Sequence, residues 1–252
     1  MSALLKVTDL HIRYGSYEAV KGVSFTLGES EILGIVGESG SGKSTIAKAI
    51  MGLQLPHSGK IEIASGVGVQ MIFQDAVGSL NPRMTVRQTL EEVLRVKGRG
   101  KKKEEGRREK EKGRGEKESG RSAESLLSLV GLSKAVLDQY PREMSGGQCQ
   151  RVSIARALAC EPRVLVADEP VSALDVSVQA RVLNLLRDLC RDLGLSIVLI
   201  AHDLAVVKNV CDRICVMERG LFVDEGDPES VFASPSSEYT RHLLAAVPRI
   251  KR

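Results

Sequence analysis

No stretch of the 252 residues is apolar over the roughly 20 positions that a bilayer-crossing helix needs. The opening residues, Met1-Ser2-Ala3-Leu4-Leu5-Lys6, lack the apolar core of a secretory signal. These two absences lead to the expectation of a soluble, cytoplasmic chain. Cysteine is scarce and unpaired: Cys149, Cys160, Cys190, Cys211 and Cys215 form an odd set with no CxxC pair and no histidine cluster nearby. That pattern predicts free, buried thiols in a reducing compartment and argues against a metal centre built on sulfur. There is no internal repeat. A length of 252 residues suits one α/β domain with a sizeable core, with room for a smaller lobe.

The net charge of +4 suggests affinity for nucleic acid until it is located. Residues 97–121 hold 12 Lys/Arg and 6 Asp/Glu, and the rest of the chain holds 24 basic against 26 acidic residues, so the excess belongs to one segment. That segment contains no apolar side chain. It cannot offset its ordering entropy by burial, so a disordered or frayed charged loop is expected, following a helix over 85–96. Interspersed acids dilute its field, and no direct nucleic-acid contact is expected.

What the chain does contain is Gly37-Glu38-Ser39-Gly40-Ser41-Gly42-Lys43-Ser44-Thr45, between the apolar run Ile32 to Val36 and the amphipathic run Ile46 to Leu53. Strand, glycine-rich loop and helix in this order form a phosphate-binding P-loop. The glycines let successive N–H groups turn inward toward phosphate oxygens, and the helix N-terminus adds positive potential. Lys43 would reach the terminal phosphates, and the Ser44 hydroxyl would bind Mg2+. The guanine-recognition motif Asn/Thr-Lys-x-Asp is missing, which disfavours a GTPase.

The remaining motifs fall at the ends of apolar runs. Residues 4–13 and 19–27 alternate apolar and polar around the turn Tyr14-Gly15-Ser16, which predicts an antiparallel pair. Tyr14 would either stack on an adenine ring or simply pack on the sheet. Gln74 follows the short strand over 67–73. Asp168-Glu169 ends the buried-strand run from Arg163; Asp168 suits a Mg2+ ligand and Glu169 a group that polarises an attacking water. His202 ends the core strand over 196–201. Ser145-Gly146-Gly147-Gln148 opens a helix, with Ser145 as its N-cap, and taken alone it is indistinguishable from a simple helix start.

Taken in order, these residues resemble the ATP-binding subunit of an ABC transporter over nearly the whole chain. The A-loop aromatic is Tyr14, Walker A spans 37–45, and the Q-loop residue is Gln74. The signature is Ser145-Gly146-Gly147-Gln148, Walker B is Asp168 with Glu169, the D-loop is Ser172-Ala-Leu-Asp175, and the H-loop is His202. Residues 74–83, 167–180 and 239–248 are similar to stretches of the importer branch that handles peptides and nickel, and do not separate the two. The resemblance implies an α/β fold: a P-loop NTPase core with a mostly parallel sheet, an N-terminal antiparallel β subdomain and an inserted α-helical subdomain over about 85–145. The whole of 1–252 would be one nucleotide-binding domain.

It further implies ATP and Mg2+ as cofactors, with Mg2+ held by Ser44, Asp168 and Gln74. Glu169, His202 and Gln74 would be catalytic. Ser145, Gly146, Gly147 and Gln148 would close over ATP held by a second nucleotide-binding domain, identical or paralogous, and Asp175 would couple the two sites. Further partners would be transmembrane permease subunits and, indirectly, an extracytoplasmic solute-binding protein, placing the chain on the inner face of the cell membrane. A soluble ABC-type ATPase acting on nucleic acid or ribosomes is the alternative, but such proteins usually fuse two such domains or carry a long coiled coil. Departures from the family pattern are Met144 before the signature, Cys149 after it, Ala76 in the Q-loop and Ser237-Glu238 in the tail. No cysteine follows Cys215, so no iron–sulfur cluster is expected.

Overall fold

The computed structural model describes residues 3–108 and 121–246. In chain order its strands and α-helices begin with β1 (Leu5–Tyr14), β2 (Tyr17–Leu27), β3 (Ile32–Val36), α1 (Lys43–Ile50), β4 (Ser58–Ile63) and β5 (Val69–Ile72). Next come α2 (Val86–Arg108), α3 (Ala123–Leu129), α4 (Gly146–Leu158), β6 (Val164–Asp168), α5 (Val176–Leu193) and β7 (Ser196–Ala201). The chain continues with α6 (Leu204–Lys208), β8 (Arg213–Glu218), β9 (Leu221–Gly226), α7 (Pro228–Ala233) and α8 (Glu238–Ala246). These elements fall into two compact units, Met1–Gln74 with Pro162–Arg252, and Asp75–Glu161. Among the described residues no helix is long and apolar enough to cross a membrane.

The first unit holds two sheets. The alternating pattern of β1 and β2 buries Leu5, Val7, Leu10 and Ile12 on one face, and β4 joins β1 on its other edge, so the three antiparallel strands run β2-β1-β4. The second sheet runs β5-β6-β7-β3-β8-β9 and is parallel except for β9. Its central strands β3, β6 and β7 are buried at every position, as expected of a parallel sheet covered on both faces. Leu33, Ile35, Val166, Val198 and Ile200 have almost no exposed surface. Each such side chain contributes about 1.5–3 kcal/mol through burial.

The strand order has a direct consequence for function. The carboxyl ends of β5, β6, β7 and β3 lie side by side, so the residues that follow them converge on one edge: Gln74, Asp168 with Glu169, His202 and the loop 37–45. Parallel α/β sheets place ligands at this edge.

In the second unit α2, α3 and α4 pack together around Leu90, Leu126, Leu127, Val130 and Val152. The span 85–145 lies within this unit, which also includes the whole of α4. The amphipathic pattern predicts a helix ending near Val96, but the backbone stays helical to Arg108 and carries the start of the charged segment with it. Lys, Arg and Glu lose little rotamer freedom in a helix, so a helix nucleated upstream propagates into them without an apolar face. The Lys97 ammonium pairs with Glu161, and Arg121 donates to the Leu158 carbonyl at 3.0 Å. The expectation of disorder over 97–121 is therefore corrected at these positions. Its remainder, residues 109–120, lies outside the described residues.

Candidate functional site

The loop between β3 and α1 is shaped by what presses against it. A Cβ at Gly37 would lie 2.1 Å from the Met217 carbonyl oxygen of β8, so only glycine lets the strand pass this close. Gly42, at φ 114°, caps α1, and a Cβ there would lie 2.4 Å from the Ala19 carbonyl oxygen. The loop's outer side is tied at three points. The Gly220 N–H donates to the Ser41 carbonyl at 2.9 Å, the Tyr17 hydroxyl donates to the Gly40 carbonyl at 3.5 Å, and the Glu38 N–H donates to the Tyr239 hydroxyl at 2.9 Å.

Lys43, the first residue of α1, lies under this loop's carbonyls and is 3% exposed. Its Nζ donates to the carbonyls of Gly37 and Glu38, each at 2.7 Å. Burial lowers its pKa from the ordinary lysine value, against the pull of the Glu169, Asp168 and Glu38 carboxylates. A buried ammonium held by carbonyl oxygens is placed to counter the charge of a bound anion.

In the first turn of α1, the Ser44 hydroxyl donates to Asp168 Oδ1 at the end of β6, at 2.9 Å. Burial raises the Asp168 carboxyl above its ordinary value, the Ser44 bond works against this, and repulsion from Glu169 adds to it. Glu169 sits just beyond β6 with φ at 46°, an uncommon backbone state for a non-glycine residue and one often found at functional sites. Several contacts hold it there. Its N–H donates to the Ile200 carbonyl at 3.0 Å, its carbonyl accepts from the Ser172 hydroxyl at 3.1 Å, and its Oε2 accepts from Gln74 Nε2 at 3.0 Å. His202 Nδ1 lies 3.5 Å from the same Oε2.

An open cleft of about 660 Å3 gathers Tyr14, Glu38, Ser39, Gly40, Gly42, Lys43, Ser44, Thr45, Gln74, Glu169 and His202. Tyr14 stands at its edge, 45% exposed, opposite Tyr17 across the β1–β2 hairpin. Tyr17 also lines the cleft and, like Tyr239, was not expected from the sequence. A hairpin partner immediately past the turn was a usable signal for Tyr17, whereas nothing local marks Tyr239. Asp175 lies outside the cleft lining. It is exposed, and its carbonyl accepts from Val178 and Gln179 at the start of α5.

In the second unit Ser145 caps α4. Its hydroxyl accepts from the Gln148 N–H at 3.2 Å while the Gln148 side chain accepts from the Ser145 N–H at 2.9 Å. Ser145 and Gly146 are exposed, and Gly147 and Gln148 are half-buried. The helix buries Cys149 below them, where burial pushes the thiol pKa up.

These groups suit a metal-bound triphosphate. The buried Lys43 ammonium supplies a counter-charge to phosphate, and the paired Ser44 hydroxyl and Asp168 carboxylate are hard oxygen donors of the kind that Mg2+ prefers. A mostly parallel sheet with a P-loop after a central strand and a carboxylate at the end of a strand two places along defines a P-loop NTPase.

The family model for ABC transporters matches residues 20–172, and the chain belongs to that family, whose cassettes use ATP. It is 42% identical to the oligopeptide transport ATP-binding protein OppF of Salmonella typhimurium, over 97% of this chain and 78% of that protein. It is 44% identical to the oligopeptide transport ATP-binding protein OppD of Mycobacterium tuberculosis, over 98% of this chain but only 40% of that longer protein. Among solved structures, the dimeric post-hydrolysis ATP-binding cassette MJ0796, bound to ADP and Pi, aligns with a TM-score of 0.70 at 28% identity, covering 89% of this chain and 98% of that one.

Proposed function

We propose that this chain is the ATP-binding and ATP-hydrolysing subunit of a peptide importer. The observation that carries the chemistry is the Glu169 carboxylate, held by Gln74 at 3.0 Å and facing His202 in the cleft that also contains Lys43. Glu169 would orient and deprotonate the attacking water, His202 would steady that water and the γ-phosphate, and Lys43 would neutralise phosphate charge. Ser44, Asp168 and Gln74 would hold Mg2+, which supplies charge neutralisation and orients the phosphates. Tyr14 would stack on the adenine ring. The names of the OppF and OppD relatives favour peptides over nickel as the cargo and an importer over a nucleic-acid ATPase.

The exposed start of α4 supports a two-chain reaction. Ser145, Gly146, Gly147 and Gln148 would close over ATP held by the P-loop of a second nucleotide-binding domain, with Asp175 coupling the two sites. Closure would be driven by ATP and released by hydrolysis, because only the triphosphate bridges the two domains. Transmembrane permease subunits at the inner face of the membrane, served by a solute-binding protein on the other side, would convert that cycle into uptake.

Glu169→Gln tests the reading. Hydrolysis of MgATP by the assembled transporter is expected to fall roughly 10²- to 10⁴-fold, the loss typical of a missing general base. Equilibrium binding should persist, and size-exclusion chromatography in MgATP should show a trapped dimer. Ordinary turnover by this variant would remove Glu169 from the role.

A further inference from the structure

The tail stretch Tyr239-Thr240-Arg241-His242-Leu243-Leu244 has no part in the chemistry above, yet it reaches the P-loop. One carboxylate ties the start of α8 to β9. Asp224 Oδ1 accepts from the Ser236 N–H at 2.9 Å, and its Oδ2 accepts from the Ser237 N–H at 3.0 Å and from the Thr240 hydroxyl at 2.5 Å. The Ser237 hydroxyl accepts from the Thr240 N–H at 3.0 Å, Thr240 is fully buried, and Asp224 is 8% exposed. Burial would raise the Asp224 carboxyl, but the hydrogen bonds from Thr240 and Ser237 outweigh it and hold the pKa down to about 2. The anchor therefore stays charged across the physiological range.

One residue before Thr240, Tyr239 turns the other way and places its hydroxyl 2.9 Å from the Glu38 nitrogen, across 201 residues of sequence. Glu38 is the second residue of the six-residue loop 37–42, which contains three glycines, and glycines lose more freedom on ordering than other residues. Of the three ties on the loop's outer side, the Gly220 tie is backbone to backbone and the Tyr17 tie is long at 3.5 Å, whereas the Tyr239 tie is a short bond accepted by one side-chain oxygen. Burial pushes the Tyr239 phenol above its ordinary value, so the group stays a neutral hydroxyl able to accept from the amide.

We propose that Tyr239 is a positioning residue for nucleotide binding: its hydroxyl, placed by the Asp224-anchored start of α8, holds the Glu38 amide and sets the curvature of the P-loop before nucleotide arrives. Preorganisation of this kind removes part of the ordering cost of binding. The inference rests on the reading of residues 37–45 as a triphosphate cradle. The tie acts on the backbone shape of the loop and not on any one phosphate oxygen, so MgATP and MgADP should both be weakened.

The test uses the full chain and compares wild type, Tyr239→Phe and Asp224→Asn by calorimetric binding of MgATP and MgADP, with amide exchange at Glu38 followed by NMR. Tyr239→Phe keeps the ring and removes one oxygen. It is expected to weaken both nucleotides about two- to fivefold, as for one neutral hydrogen bond, and to speed exchange of the Glu38 amide. In the assembled transporter KM should rise with kcat unchanged. Asp224→Asn should act in the same direction, and the double variant should be less than additive because both changes act through one contact. Wild-type binding with unaltered Tyr239→Phe binding, even with a lowered Tm, would reduce Tyr239 to a tail anchor and overturn the positioning role alone. Failure of the wild type to bind either nucleotide would overturn the cradle reading and this role with it.

Discussion

The two glycine-rich helix starts, residues 37–45 and residues 145–148, are held by different forces. The first takes its shape from distant chain: β8 presses on Gly37, the β8–β9 turn bonds Ser41, and α8 bonds Glu38. The second takes its shape from itself, since Ser145 and Gln148 satisfy each other's backbone amides in a capping box. Both have the same outward form, glycines leading into a helix. A loop that needs tertiary contacts can be built into a rigid cradle, while a locally satisfied helix end can be presented on a surface, and the proposed division of labour between them requires this difference.

The largest break in that contrast should come from Gly37→Ala. The added methyl would meet the Met217 carbonyl at 2.1 Å, closer than nonbonded atoms approach, so β8 or the loop must move. A destabilisation of about 1–3 kcal/mol is expected, as for overpacking in a core, together with a loss of MgATP affinity of roughly 100-fold, read by denaturant titration and calorimetry. The same substitution at Gly147 should do the opposite to stability. Alanine is the better helix former by up to about 1 kcal/mol, so Gly147→Ala should leave the fold and single-chain nucleotide binding intact. Hydrolysis by the assembled transporter should nonetheless fall at least tenfold, a crowded approach costing about 1.4 kcal/mol or more. Equal damage to single-chain binding by both substitutions would erase the distinction.

The same difference explains what could be read from sequence. Gln74, Glu169 and His202 each follow an apolar run, so the runs that mark β5, β6 and β7 also marked the site, and the Ser145 cap was visible because its partners are three residues apart. The order in which parallel strands lie side by side is not encoded in any single run, so the convergence of these residues rested on likeness to a family. The contacts of Tyr239 with Glu38 and of Met217 with Gly37 join residues 180 or more positions apart, and no local period announces them. The extension of α2 to Arg108 was hidden for another reason. A charged run with no apolar face resembles a loop, although its lysines, arginines and glutamates favour propagation once a helix has begun upstream.

The smallest effect expected separates the two duties of Ser145. Ser145→Ala removes the oxygen that accepts from the Gln148 N–H, and loss of an N-cap costs about 1 kcal/mol. Because the capping box is local, that cost should appear as faster amide exchange at the start of α4, with exchange at Glu38 and MgATP binding by the single chain unchanged. Ser145→Asp should restore the cap, since aspartate caps as well as serine and its charge favours a helix N-terminus. The same carboxylate would repel a triphosphate brought up by a second chain. Wild-type stability combined with lost hydrolysis in Ser145→Asp is therefore the signature of a helix end that serves another molecule. Normal hydrolysis in that variant would confine Ser145 to capping its own helix.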